Sequence, residues 1–368
     1  MDPLTTILSV GSEVASISEK VAACRRISSE EAAVLWNDAP LPLLGKLAFD
    51  IKCGTSGDSV FYNRNFHIEP SNICLHKCRF CSYRRDQGDP GSWDYTFEEI
   101  EEMAAKQAGR GITEVHVVGS VHPDYDLDHY VKIIETIKKA LPDVSIKAFS
   151  AIEINHMAAG ASMTVAECLR RLQQAGLEAL PGGGAEIFDE EVRRAICPDK
   201  GSAAEWLATH RAAHDLGIPT NATMLYGHIE TVRHRIDHMA RLRDLQDATN
   251  GFNAFIPLKY RKQGNQMSAA GEVGITEDMR TLAMSRIFLD NFPHIKAYWP
   301  MLGKTATEMA LAYGADDIDG TINDTTKIYS MAGAEEHPVM GIGEIEAMAC
   351  NAGLKAVERD TFYNPLRF

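Results

Sequence analysis

Asn72-Ile73-Cys74-Leu75-His76-Lys77-Cys78-Arg79-Phe80-Cys81 is the stretch on which the reading of this 368-residue chain turns. Its spacing is Cys-x3-Cys-x2-Cys. Three thiolates on a cube of four irons leave one iron without a protein ligand, the open position that metal chemistry needs. Other uses of the cysteines fit less well. A Cys3His zinc site would recruit His76, but zinc sites pair Cys-x2-Cys with a distant second pair. A ferredoxin needs a fourth cysteine close by, usually followed by proline. Cys197 precedes Pro198, yet it lies over a hundred residues on and no second cluster motif accompanies it. The loop, with Lys77, Arg79, Arg84 and Arg85, is too polar to be core. The expectation is a [4Fe–4S] cluster on Cys74, Cys78 and Cys81. S-adenosylmethionine (SAM) would chelate its open iron and be cleaved by one electron to a 5′-deoxyadenosyl radical. The remaining cysteines Cys24, Cys53, Cys168 and Cys350 lie in helical patterns and read as buried apolar residues.

Working outward, short apolar runs alternate with amphipathic ones from about Asn65 onward. Strands are expected at 66–68, 114–118, 145–149, 177–180, 220–225, 253–256 and 294–299, with a weak eighth at 317–322. Helical runs lie between them at 97–107, 127–141, 165–175, 203–216, 232–248 and 277–291. Such alternation indicates βαβ units and a parallel sheet. The expected fold is α/β, a (βα)8 TIM-type barrel; a doubly wound open sheet is the alternative. Residues 1–62 read as an N-terminal helical extension, with helix starts at Ser28-Ser29-Glu30-Glu31 and at Pro42. The barrel is assigned to 63–326. A C-terminal cap, with a helix near 342–352, is assigned to 327–368.

A barrel carries its chemistry at the carboxyl ends of its strands. The cysteine loop, Gly119-Ser120, Gly182-Gly183-Gly184 and Gly227 all follow expected strands. For SAM, Phe80 is the candidate adenine neighbour and Gly119 and Ser120 offer backbone to the methionine end. Glu186, after three glycines that permit close backbone approach, is placed to bind ribose hydroxyls as acidic residues do elsewhere. Gly227 and Glu230 belong to a loop that would close over adenine. Candidate substrate contacts are His67, Arg84, His122, Glu153, Tyr226, Lys259 and Trp299. Arg84, Arg85, Lys259 and Arg261 are cations for an anionic substrate. Trp299 would offer an aromatic wall.

Composition sets the outer limits. With 45% hydrophobic and 24% charged residues the balance is that of a globular protein. A formal net charge of −14 argues against a nucleic-acid surface. No stretch reaches the roughly 18 apolar residues of a membrane span. The N-terminus lacks the basic region and apolar run of a secretory signal. A cytoplasmic protein is expected, its eight cysteines serving as thiols or ligands.

Several segments together resemble the aminofutalosine synthase family of radical SAM enzymes, which serves an alternative menaquinone pathway. They are His67-Ile-Glu-Pro-Ser-Asn-Ile-Cys74, Lys147-Ala-Phe-Ser-Ala-Ile-Glu153 and Leu180-Pro-Gly-Gly-Gly-Ala-Glu-Ile-Phe188. Asn221-Ala-Thr-Met-Leu-Tyr-Gly-His-Ile-Glu230, Ile295-Lys-Ala-Tyr-Trp299 and Gly314-Ala-Asp-Asp-Ile-Asp-Gly320 extend the likeness from about His67 to the C-terminus. The resemblance implies a small aromatic carboxylate substrate, 3-[(1-carboxyvinyl)oxy]benzoate, whose vinyl carbon accepts the adenosyl radical. Aryl transfer and loss of a carboxylate as bicarbonate would give 6-amino-6-deoxyfutalosine and methionine, with SAM consumed as co-substrate. It also implies an external one-electron donor such as flavodoxin or ferredoxin.

The chain departs from the family pattern at Ser120, where a second glycine is common, and at Lys259-Tyr-Arg-Lys-Gln-Gly-Asn-Gln-Met267. The second departure puts substrate contacts from that loop in doubt. The rival within the pathway is dehypoxanthine futalosine cyclase, in which the radical abstracts hydrogen; Lys147-Ala-Phe and Gly314-Ala-Asp-Asp-Ile-Asp favour the synthase. A zinc-stabilised binding module is the rival of another class.

Overall fold

The computed structural model describes residues 10–322, 327–334 and 339–367. Helices α1 (Ser12–Ala22), α2 (Ser29–Asp38) and α3 (Leu41–Ser56) lead into β1 (Ser59–Asn63) and β2 (Asn65–Ile68). Then come α4 (Phe97–Ala105), β3 (Glu114–Val117), α5 (Leu127–Ala140), β4 (Ser145–Ala148), α6 (Ala151–Gly160), α7 (Val165–Ala175) and β5 (Leu177–Ala179). The second half runs α8 (Glu190–Ile196), α9 (Ala203–Asp215), β6 (Thr220–Tyr226), α10 (Val232–Thr249), β7 (Phe252–Lys259), α11 (Ile275–Phe288) and β8 (His294–Ile295). Short α12 (Trp299–Leu302) and α13 (Lys304–Leu311) precede β9 (Asp317–Gly320). The chain ends with α14 (Lys327–Ser330), α15 (Ile342–Asn351), β10 (Lys355–Arg359) and β11 (Pro365–Arg367).

The helix starts have local causes. Ser28, Thr96, Ser150, Thr164 and Ser202 each accept the backbone N–H of a glutamate three residues on, whose carboxylate returns to the cap. That reciprocal box satisfies amides a helix start otherwise leaves unpaired.

Strands β2 to β5 pair in parallel in sequence order, and β6 to β8 do the same. Single bridges join β5 to β6 (Leu180 to Thr220) and β8 to β9 (Lys296 to Asp317). The ring closes through β1, which pairs with β9 and continues one residue later as β2. Eight strands, β2 to β9, thus form the (βα)8 barrel that the alternation implied. Period-two alternation sorts its side chains. Phe66, Ile68, Val115, Val117, Ile146 and Ala148 point outward into a core shared with Ile133, Ile137 and Leu169. The N-terminal helices bury Leu35, Trp36, Leu43 and Leu47 against Met279, Leu282 and Met284 of α11.

Other expectations are corrected. Strand 294–299 stops at Ile295, because Pro300 sits in the first turn of helix α12, a position proline favours. Cys53 and Cys350 are exposed on their helices, Cys24 is exposed in the turn after α1, and only Cys168 of that set is buried. The sequence reading does not anticipate strands β1, β10 and β11 or helices α6, α8, α12, α13 and α14. Strand β10 pairs with β1, and the tail beyond it closes the amino end of the barrel. There Arg359 bonds Asp317 at 2.7 Å and Thr361 donates to Glu114 at 2.8 Å. Among the described residues, no helix is long and apolar enough to cross a membrane.

Candidate active site

The cysteine loop leaves β2 and is pinned by backbone. Leu75 N donates to Val121 O at 2.9 Å, Cys74 N to Arg85 O at 3.2 Å, and Arg79 N to Ile196 O at 2.7 Å. Ser120 Oγ donates to Ile73 O at 2.7 Å and lies 3.1 Å from Ser71 O, so this side chain braces the loop. All eight cysteines are free thiols. Burial pushes the Cys74 and Cys81 thiols up, so ionisation would accompany metal binding. The Cys78 thiol is raised by a hydrogen bond with Cys197 and by burial.

Three soft thiols on one short loop suit an iron–sulfur cluster. Among the described residues no three His, Cys, Asp or Glu side chains converge on a single ion; a four-iron cube holds its ligands farther apart than one ion does.

A cavity of about 290 Å³ opens beside this loop. Phe80, Cys81, Gly119, Glu153, Glu186 and Lys200 line its mouth. Lys200, which sequence reasoning missed, bonds Glu186 at 2.5 Å and stands 5.6 Å from the Phe80 ring centroid. Burial disfavours its charge, but Cys78, Glu186 and Cys197 outweigh that and raise its pKa. Its position after a proline at the end of α8 carried no motif. Only the nearness of Cys197-Pro198 hinted at it. A carboxylate and an ammonium side by side could serve the amino-acid end and the hydroxyls of a SAM-like ligand. Two of the three glycines are required here. A Cβ on Gly182 would stand 2.8 Å from Asn221 O, and one on Gly184 (φ +90°) 2.5 Å from the Ile152 side chain. Glu153 caps α6 through Ser150, and burial pushes its carboxyl up to about 7.

Several candidates point elsewhere. Glu230 accepts from Gly227 N, His228 N and Arg235 at 2.7–2.9 Å, locking its own loop. Tyr226 donates to Asp278 at 2.8 Å behind the strand. Arg84 pairs with Asp86, His122 stacks on Tyr125, and Trp299 donates to Gly320 O in the core. Lys259 lines the cavity with its ammonium on Asp278 at 2.8 Å.

Below the mouth the interior is charged. Lys147 bonds Glu114 at 2.7 Å and Lys296 bonds Asp319 at 2.5 Å. His67 packs edge-on to His116, centroids 4.7 Å apart. Burial lowers the His67 pKa to about 4. Burial also opposes charge on Glu114, yet Lys147, Arg359 and Lys296 outweigh it and hold that carboxyl down at about 2.

Comparison with known proteins agrees with this geometry. The family model for the radical SAM superfamily matches residues 68–242, and that for the CofH/MqnC C-terminal region matches 249–367. The chain is 42% identical over 357 residues to aminodeoxyfutalosine synthase of Thermus thermophilus, covering 95% of both chains. It belongs to the aminofutalosine synthase family of radical SAM enzymes.

The Streptomyces coelicolor synthase is 37% identical, over 95% of this chain and 93% of that one. A relative of different name, the 5-amino-6-(D-ribitylamino)uracil–L-tyrosine 4-hydroxyphenyl transferase of Methanopyrus kandleri, is 38% identical over 88% of each chain. Methylornithine synthase (PylB) shares the fold, with TM-score 0.72 at 18% identity over 92% of this chain and 97% of that one. The hydrogenase maturase HydG does so with TM-score 0.73 at 18% identity over 94% and 76%. In this member of the synthase family, the atypical segment after Lys259 docks on the cysteine loop. Ser82 Oγ donates to Gln263 O at 2.6 Å and Gln266 N to Arg79 O at 2.9 Å.

Proposed function

We propose that this radical SAM enzyme adds the 5′-deoxyadenosyl radical of SAM to the vinyl carbon of 3-[(1-carboxyvinyl)oxy]benzoate and, with one water taken up by the departing carboxyl carbon, forms 6-amino-6-deoxyfutalosine, methionine and bicarbonate. The observation that carries this is full-length identity of 42% to a synthase of that name. Supporting it is a three-thiol loop beside a cavity of about 290 Å³ lined by Lys147, Lys259, Arg261 and Lys296, cations suited to an acid. In this reading Cys74, Cys78 and Cys81 hold the [4Fe–4S] cluster, which supplies the electron for SAM cleavage when bound. Phe80 faces adenine, Glu186 meets ribose hydroxyls or the methionine ammonium, and Lys200 pairs with the methionine carboxylate. Gly119 and the Gly182–Gly184 run let backbone approach the ligand. The chain's own task is to align radical and olefin and to shield the radical from bulk solvent and other hydrogen donors. An external one-electron donor of the flavodoxin or ferredoxin class completes the cycle, and the free thiols suit the reducing cytoplasm.

The test is anaerobic turnover of reconstituted enzyme with SAM, a one-electron reductant and the benzoate, read by product mass. The adenosylated aryl product with equimolar methionine is expected. Free 5′-deoxyadenosine without that product defeats the reading. The 38% identity to 4-hydroxyphenyl transferases favours a second reading. L-tyrosine with 5-amino-6-(D-ribitylamino)uracil, run in parallel, should give no coupled product if the first is right.

A further inference from the structure

Side chains inside a (βα)8 barrel are mostly branched aliphatics packed in layers. Glu114, His116, Lys147, Lys296 and Asp319 line the deep part of this cavity instead. Buried ion pairs are often no more stabilising than apolar side chains of the same volume. Stability is therefore a poor reason for two lysines there. His116 adds an independent sign. Its Nε2 is buried without a hydrogen-bond partner among the described residues, a costly state unless a ligand supplies the partner. His116 and Lys147 are directly paired across β3 and β4. Lys147 uses one ammonium hydrogen on Glu114, and an ammonium has three to give.

We propose that His116 and Lys147, backed by Lys296, form a subsite at the cavity floor for the ring carboxylate of an aromatic acid substrate. The subsite rests on the synthase reading for its orientation. The radical arises at the mouth, so the vinyl carbon must stand there. The carboxylate on the ring is the far end of the molecule and reaches deepest. The other carboxylate, beside the vinyl carbon, stays near Lys259 and Arg261. Burial, with His67 and Lys147 adding to it, keeps the His116 imidazole neutral. It therefore donates one hydrogen bond without placing a second cation against Lys147.

The test compares two probes, 3-hydroxybenzoate and phenol, by calorimetry on enzyme loaded with cluster and SAM. The wild type should prefer the acid at least tenfold, and Lys147→Met and His116→Leu should each remove most of that preference while iron content stays constant. Lys147→Met should also raise KM for the enolpyruvyl benzoate at least tenfold, with a smaller change in kcat. If Lys147→Met does not fold, His116→Leu decides, since it leaves no charge unpaired. A preference that persists in the variants, or its absence from the wild type, overturns the subsite. Product mass separates the two ideas. Product formation with a persisting preference defeats the floor alone. No adenosylated product, together with a preference lost in the variants, defeats the synthase reading and leaves the floor standing.

Discussion

At the mouth of the cavity Cys74, Cys78, Phe80 and Cys81 all come from one short loop. At the floor, Glu114, Lys147, Lys296 and Asp319 come from four separate strands or strand ends; from the tail, Thr361 reaches Glu114 and Arg359 reaches the neighbouring Asp317. The two regions treat buried carboxyls in opposite ways. Glu69, at the mouth end of β2, is nearly as buried as Glu114; it accepts from the backbone N–H groups of Lys327 and Ile328 and feels the charge of Lys327. Burial pushes it up to about 7 despite those bonds. Glu114, ringed by cations, is held at about 2. The difference is not burial but partnership. Glu114 at the floor is held in its charged form, while burial pushes Glu69 and Glu153 near the mouth up to about 7.

The contrast breaks hardest at the floor. Arg359→Met leaves Asp317 buried without its guanidinium, both side chains being fully buried. It should destabilise the protein by about 3–5 kcal/mol, measured by chemical denaturation. A loss below 1 kcal/mol would mean that the tail does not stabilise the barrel through this pair.

The two glutamates sharpen the comparison through pH. Glu69 has a folded pKa above its ordinary 4.5, so the folded state binds the extra proton between the two values. Stability from this group is full below about pH 4.5 and falls as pH rises through about 7, by ~3 kcal/mol in all. Glu114 has the opposite sign, contributing above its ordinary value and losing that contribution as pH falls towards about 2. The stability difference between wild type and Glu69→Gln should therefore drift against the wild type from pH 5 to pH 8. A flat difference would show that Glu69 ionises normally.

Smaller effects follow. Glu186→Gln should weaken SAM binding about tenfold, the loss of roughly one charged hydrogen bond, with cluster content unchanged; equal affinity would remove it from the site. Smallest is Lys304→Met, which breaks an exposed pair with Glu344. It should cost about 0–1 kcal/mol, and a larger loss would erase the distinction between surface and floor.

The same contrast governs what could be read in advance. The cysteine loop was legible because contiguous spacing encodes it, and the barrel because hydrophobic periods of two and 3.6 alternate along the chain. Lys147, Lys296 and Asp319 lay inside quoted segments, but nothing local says that strands far apart in sequence turn them toward one point. Lys200 sat between elements, and its meaning arises only when α8 docks on the cysteine loop. Glu230 resembled a ligand contact because it follows a strand end, and Trp299 because it could offer an aromatic wall, yet their partners are their own loop and core. The exposed Cys53 and Cys350 show that a helical pattern does not by itself say which face a cysteine occupies, and Cys24 falls in the turn just past the end of α1.

The account depends most on the mouth. Iron and sulfide analysis of anaerobically reconstituted protein, comparing the wild type with the Cys74→Ala/Cys78→Ala/Cys81→Ala variant and with Cys197→Ala, tests it most directly. About four irons per chain are predicted for the wild type and for Cys197→Ala, and essentially none for the triple variant. Full iron loading without the three loop cysteines, or stoichiometric zinc in the wild type, would contradict it.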